Sequence, residues 1–211
     1  MSVPSHVPLT EAEAKSGETL LTTMGNVLAI WQGIEHGIAD IYLTFFVPMA
    51  HDPAAVAFYA IRTFDGRSGV VSALIKYYCS DSQNEQWADL KALLRKRSQA
   101  RNAVAHGVVM RHGRPPNTEF VVGPSTYDIS DFPDPPLKNG FYTVKELREL
   151  CVCLVDLTQR LDAFREVLAS DQALRAKCHA LSSKVASHQV RFPLRILIPP
   201  ELRRPPEPSR E

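Results

Sequence analysis

The chain has 211 residues, 45% of them hydrophobic and 22% charged, which is enough apolar material for one domain with a buried core and some excess for tails. A formal net charge of +1 excludes a globally basic polyanion-binding protein, so any nucleic acid must be held by a local patch. The cysteines Cys79, Cys151, Cys153 and Cys178 have neither C-x-x-C spacing nor the density of a disulfide scaffold, and they read as reduced core residues.

Residues 1–9 read as an N-terminal tail. The opening "MSVPSHVPLTEAEAK" lacks a basic region followed by an apolar one, so it is not a secretory signal and a cytosolic location is expected. Thr10 followed by Glu13 has capping-box spacing, and Leu20, Met24, Val27, Trp31, Ile34, Ile38, Ile41 and Phe45 then alternate steps of four and three, which predicts a long helix with one apolar seam. Glu35, His36 and Asp40 interrupt the apolar run around that seam, and charge is costly in hydrocarbon, so the segment is not a membrane span. Asp52 is expected to cap a second helix through Phe58, Ile61 and Phe64 that stops near Gly66, and "GVVSALIKYYC" predicts a short third one. "NEQWADLKALLRKRSQARNAVAH" carries Trp87, Leu90, Leu94, Arg97, Arg101 and Val104 at the same spacing, so its seam turns basic halfway along.

Beyond Gly107 the period changes. "GVVMRHGRPPNTEFVVGP" is two β-branched runs about a Gly/Pro/Asn turn and predicts a small hairpin, followed by a Pro- and Asp-rich surface loop; together they form an insertion over residues 107–142. Thr143 with Glu146 repeats the capping box, and Leu147, Leu150, Leu154, Leu157, Leu161, Phe164 and Leu168 form a second long seam suited to pair with the first. A last helix is expected over Leu174 to Val185, and residues 188–211 read as an extension and a Pro-rich tail with too little apolar surface to fold. The reading is one all-α domain over residues 10–187 with a hairpin and loop insertion.

The most informative stretch is "RSQARNAVAHG", Arg97 to Gly107. On a helix Asn102 and His106 are four apart and share a face, as do Arg97 and Arg101, while Arg101 and His106 are about 140° apart at 100° per residue. Gly107 stops the helix and leaves His106 in its last turn, where the negative end of the macrodipole favours the protonated imidazole.

"RNAVAHG" resembles the Arg-x4–6-His signature of the HEPN superfamily (higher eukaryotes and prokaryotes nucleotide-binding domains), with Arg101 at the motif arginine, Asn102 at the polar position after it and His106 at the motif histidine. The resemblance implies an antiparallel bundle of four to five helices, a homodimer that brings two motifs together, and metal-independent RNA cleavage. The insertion after Gly107 departs from a minimal bundle.

The residue types suit that chemistry on their own terms. RNA carries its own nucleophile, the 2′-OH, so cleavage needs a base for its proton, an acid for the leaving 5′-oxygen and a cation for the crowded phosphate. His106 from two subunits supplies base and acid, Arg101 a permanently charged planar fork, and Asn102 an orienting group. Arg95, Lys96 and Arg97 extend the basic surface as substrate-binding residues. No cofactor and no metal is required. On this reading the protein is an endoribonuclease, a toxin or antiphage effector restrained by an inhibitory protein partner. The alternatives are that Arg101 pairs with Glu35 or Asp40 on the first helix while His106 caps carbonyls, and that the groove serves a non-catalytic module for dimerisation or for binding nucleotide or protein.

Overall fold

A computed structural model describes residues 9–46, 50–113, 118–124 and 141–187. Most of the expected N-terminal tail, most of the Pro-rich loop and all of the C-terminal extension lie outside the described residues. Among those described are six helices and one two-stranded antiparallel sheet, so the chain is mostly helical with a small hairpin after the motif helix.

Helix α1 spans Glu11–Leu43 and, at about 1.5 Å per residue, extends roughly 50 Å. Its capping box is formed: the Thr10 N–H donates to Glu13 Oε2 at 2.8 Å, and the Glu13 N–H donates to Thr10 Oγ1 at 3.3 Å. Helix α5, Val144–Ser170, starts with the same device at Thr143 and Glu146. The two long helices are each other's main partners, and they meet along the seams that the apolar spacing marks out. Leu20, Val27, Trp31, Ile34, Ile38 and Ile41 on α1 are buried, as are Leu147, Leu154, Leu157 and Leu161 on α5. Each such side chain contributes about 1.5–3 kcal/mol of apolar burial, so this seam is the main source of stability.

The second and third helices differ from expectation. Helix α2, His51–Ala60, starts at Ala50 without a side-chain cap, and Asp52 lies in its first turn instead of capping it. It ends before Ile61, and Phe64 and Gly66 belong to α3, Phe64–Tyr78. The stop comes from Thr63, whose extended backbone and Oγ1, accepting the Gly66 N–H at 3.1 Å, start a new helix. Gly66 is therefore no terminator. A Cβ there would lie 2.7 Å from Ile61 Cγ2, so glycine is what lets the chain fold back on itself between α2 and α3.

Helix α4, Asp81–His106, opens with a third capping box, Ser80 with Gln83. Trp87 stacks on Phe164 of α5 with centroids 5.9 Å apart. Strands β1, Val108–His112, and β2, Glu119–Gly123, pair from Val108 with Gly123 to His112 with Glu119. The hairpin lies against the first half of α1, where Phe120 meets Gly17 and Arg111 pairs with Glu13 at 2.9 Å. Tyr142 bridges to Val122 just before α5. Helix α6, Gln172–Ser187, follows at once, with the Leu174 N–H held by Asp171 Oδ1 at 3.0 Å. Among the described residues no helix is long and apolar enough to cross a membrane.

Candidate functional site

The last two turns of α4 meet the middle of α1 and the start of α3, and the meeting point is Glu35. This carboxylate sits one turn after Trp31, on the flank of the apolar seam, with its side chain 16% exposed. Its Oε1 accepts the indole N–H of Trp31 at 2.8 Å and Arg101 Nη2 at 3.0 Å, and its Oε2 accepts Arg67 Nη1 at 3.0 Å. Two cations share one anion, so the cluster keeps a positive excess. A second arginine also lowers the cost of desolvating the carboxylate, which one partner would meet less fully.

Arg101 is held on three sides. Its guanidinium carbon lies 5.0 Å from the centroid of the Trp31 ring, and its Nη1 donates to Asn102 Oδ1 at 3.0 Å. Among the described residues its buried Nε has no hydrogen-bond partner, an unmet donor of the kind that costs roughly 1–3 kcal/mol. Arg67 is fixed as firmly: Nε donates to the Ile61 carbonyl at 2.8 Å, and the guanidinium lies over Tyr59 at 5.5 Å. The Arg101–Glu35 pair is one of the two pairings anticipated for this arginine. The other carboxylate, Asp40, lies 3.6 Å from Arg165 instead.

These groups line a polar cavity of about 440 Å³, whose wall also includes Arg62, Thr63, Phe64, Asp65, Ser98 and Asn102. Arg101 and Asn102 are thus brought together at a surface that solvent reaches, with the Arg101 side chain 22% exposed. His106 is not in that wall. It is exposed, one turn beyond Asn102 and about 40° further round α4, so within one protomer it stands at the rim and not in the cleft with Arg101. Gly107 has extended backbone, φ −70° and ψ 158°, so it is not a left-handed terminator. A Cβ there would fall 2.6 Å from the Ala103 carbonyl and would collide with Val122, so glycine lets the hairpin pack directly against the end of the motif helix.

The upstream basic residues separate. Arg95 is exposed on the same side of α4 as Ser98 and Asn102, whereas Lys96 is exposed about 120° away from Asn102. Arg97 is half-buried near Tyr142 and does not line the cavity. Burial pushes the Tyr142 phenol up to about 12, with the Glu146 carboxylate adding to the rise and the Arg97 charge opposing it. Of the three, only Arg95 continues the cleft side of α4. His112 is exposed, its ring 4.2 Å from that of Phe141.

Arg62 and Arg67 escape a reading of local spacing, which marks Trp31 as a seam residue but not as the ring beneath Arg101. Arg67 and Arg62 flank a helix start, an ordinary place for cations, and only the packing of α3 on α1 ties them to Arg101. None of the four cysteines is in a disulfide; burial raises the pKa of Cys178 and Cys151, and it carries Cys79, with the Asp171 charge adding, to about 11. Among the described residues no group of three or more His, Cys, Asp or Glu is placed to hold a metal ion. No family model matches the chain, and neither curated proteins nor solved structures give a match.

Proposed function

We propose that this chain is a HEPN-type endoribonuclease that needs no metal ion and works as a cytosolic homodimer, with Arg101, Asn102 and His106 as its catalytic residues. The observation that carries the reading is that the motif arginine and asparagine line an open polar cleft while the motif histidine is exposed one turn further on. One histidine outside each cleft is what a composite site requires: a strand lying in one cleft meets imidazoles from both subunits. His106 of one copy takes the 2′-OH proton, the 2′-oxygen attacks the adjacent phosphorus, and His106 of the other copy protonates the leaving 5′-oxygen. Arg101 stabilises the phosphorane charge, and the products are a 2′,3′-cyclic phosphate and a 5′-hydroxyl. A protein inhibitor covering this end of α4 would restrain such an enzyme in a cell.

The mating surface in this reading is the C-terminal end of α4. A second concavity, about 690 Å³ between α1 and α5, includes Thr22, Asn26, Ala29 and Val152 in its wall. By the helical period its α1 face is about 170° from that of Trp31 and Glu35, so association there would hold the two motifs apart.

Purified protein incubated with labelled RNA in EDTA tests the reading: cleavage by the wild type, lost in His106→Ala and in Arg101→Ala, is the expected result. Absence of cleavage by a clean wild-type dimer would instead favour a non-catalytic nucleotide- or protein-binding module. The specific observation on that side is that Glu35 and Asn102 already occupy both terminal nitrogens of Arg101.

A further inference from the structure

Arg62 lines the same cavity as Arg101 but takes no part in the Glu35 cluster. It is exposed, and among the described residues it has neither a hydrogen bond nor an ion pair. It stands two residues before α3, on the wall that also carries Arg67, whereas Arg101 and Asn102 belong to the α4 wall. The cavity therefore has cations on both sides: three arginines against the carboxylates of Glu35 and Asp65, one formal positive charge in excess. At about 440 Å³ it lies within the range of pockets that hold small ligands, larger than a single phosphate needs. The Glu35 cluster accounts for Arg67 and most of Arg101, but nothing among the described residues accounts for Arg62 or for the unmet Arg101 Nε.

We propose that the α3 wall is a subsite for a second, non-scissile phosphate of single-stranded RNA, with Arg62 as its direct contact and Arg67 as the fixed charge behind it. The strand then passes from His106 at the rim, across Asn102 and Arg101, to Arg62. Asp65, exposed on the same wall in the first turn of α3, opposes that phosphate and limits the affinity. This inference rests on the functional reading above for the identity of the polyanion, but its test does not require cleavage.

The probe is a short fluorescent oligoribonucleotide with every 2′-OH methylated, which binds but cannot supply the nucleophile. Anisotropy titrations across a salt series give its Kd and the slope of log Kd against log salt. Arg62→Gln is expected to raise Kd about fivefold at low salt and to reduce the slope by about 0.7, the loss of one single-strand phosphate contact. Asp65→Asn should act in the opposite direction and lower Kd about twofold. Arg160→Gln, on the exposed side of α5, changes the net charge equally and should leave Kd unchanged. Both cleft variants are at exposed positions, so retained helicity and melting behaviour verify the fold. Equal weakening by Arg62→Gln and Arg160→Gln, no effect of Arg62→Gln, or no binding by the wild type would overturn the subsite. Arg62-dependent binding without cleavage of unmodified RNA supports the subsite and removes the ribonuclease reading. His106-dependent cleavage with a Kd indifferent to Arg62 does the reverse.

Discussion

The α1–α5 seam and the cleft at the end of α4 share one helix and are built on opposite principles. Along the seam, stability is spread over many leucines and isoleucines, each making the same kind of non-directional contact. In the cleft a single carboxylate, Glu35, receives an indole N–H and two guanidinium groups, so the arrangement depends on one residue. A distributed apolar surface tolerates local loss, whereas a convergent charged cluster is fixed in position and fails when its centre is removed. That is the contrast expected between a scaffold and a site that must hold an arginine in one orientation.

The comparison is tested most strongly at Leu154, fully buried in the middle of α5. Leu154→Ala should cost about 2–5 kcal/mol, read as a lower midpoint in urea with an unchanged m-value, while the RNA binding proposed above, measured per folded molecule, should be the same as in the wild type. A change in the affinity of the folded fraction would show that seam and cleft are not separate. Glu35→Ala should come next, at about 3 kcal/mol, because it leaves Arg67 and Arg101 facing each other without their anion. If Glu35→Ala is as mild as an ordinary surface substitution, the convergent description of the cleft is wrong.

Trp31→Phe sharpens the same point: it removes the indole donor and weakens the surface beneath Arg101, for an expected loss of about 1–2 kcal/mol. Restoration of much of that loss in a Trp31→Phe, Glu35→Gln double variant, relative to the sum of the singles, would measure the coupling.

The far end of α4 gives a smaller effect with a defined sign. There Gln83 Nε2 donates to Asp171 Oδ2 at 3.1 Å, and Asp171 Oδ1 accepts the Leu174 N–H. The Leu174 N–H first, and then Gln83, hold the Asp171 carboxyl below its ordinary value of 3.8. A carboxyl lowered by folding stabilises the fold above its unfolded pKa and loses that contribution as pH falls through the lowered folded value. The α6 start should therefore weaken below about pH 4, by at most about 1 kcal/mol given its exposure, and Asp171→Asn should keep the cap while flattening the acid dependence. Hydrogen exchange at Leu174 is the direct measurement. The smallest effect is chemical: with its thiol raised to about 11, Cys79 should react slowly with iodoacetamide at neutral pH, and rapid labelling mapped to Cys79 in the native protein would contradict its half-buried position.

Both long helices, their capping boxes, the hairpin and the seam residues were legible from spacing alone, because an apolar period and an N-cap are local properties of the chain. The boundary between α2 and α3 was not. Gly66 has the look of a stop, but Thr63 takes its N–H and begins a helix there, and the crowding against Ile61 that demands glycine is visible only once the chain has turned. The candidate site divides in the same way. Arg101, Asn102 and His106 are singled out by their positions on one helix, and Glu35 by its place on another; the joining of Arg67 and Arg62 to them is not encoded in any short window.

What the sequence by itself determined is the set of helical elements, their apolar faces and the motif at the end of α4, since periodicity and capping act over three or four residues. The tertiary structure alone decided that Glu35 would be shared between Arg67 and Arg101, that Arg97 would turn toward Tyr142, and that His106 would stand at the rim while Arg101 lines the cleft. Those outcomes follow from packing α3 and α4 against α1: an ion pair across elements forms only where the apolar seams have already set the distance between the helices.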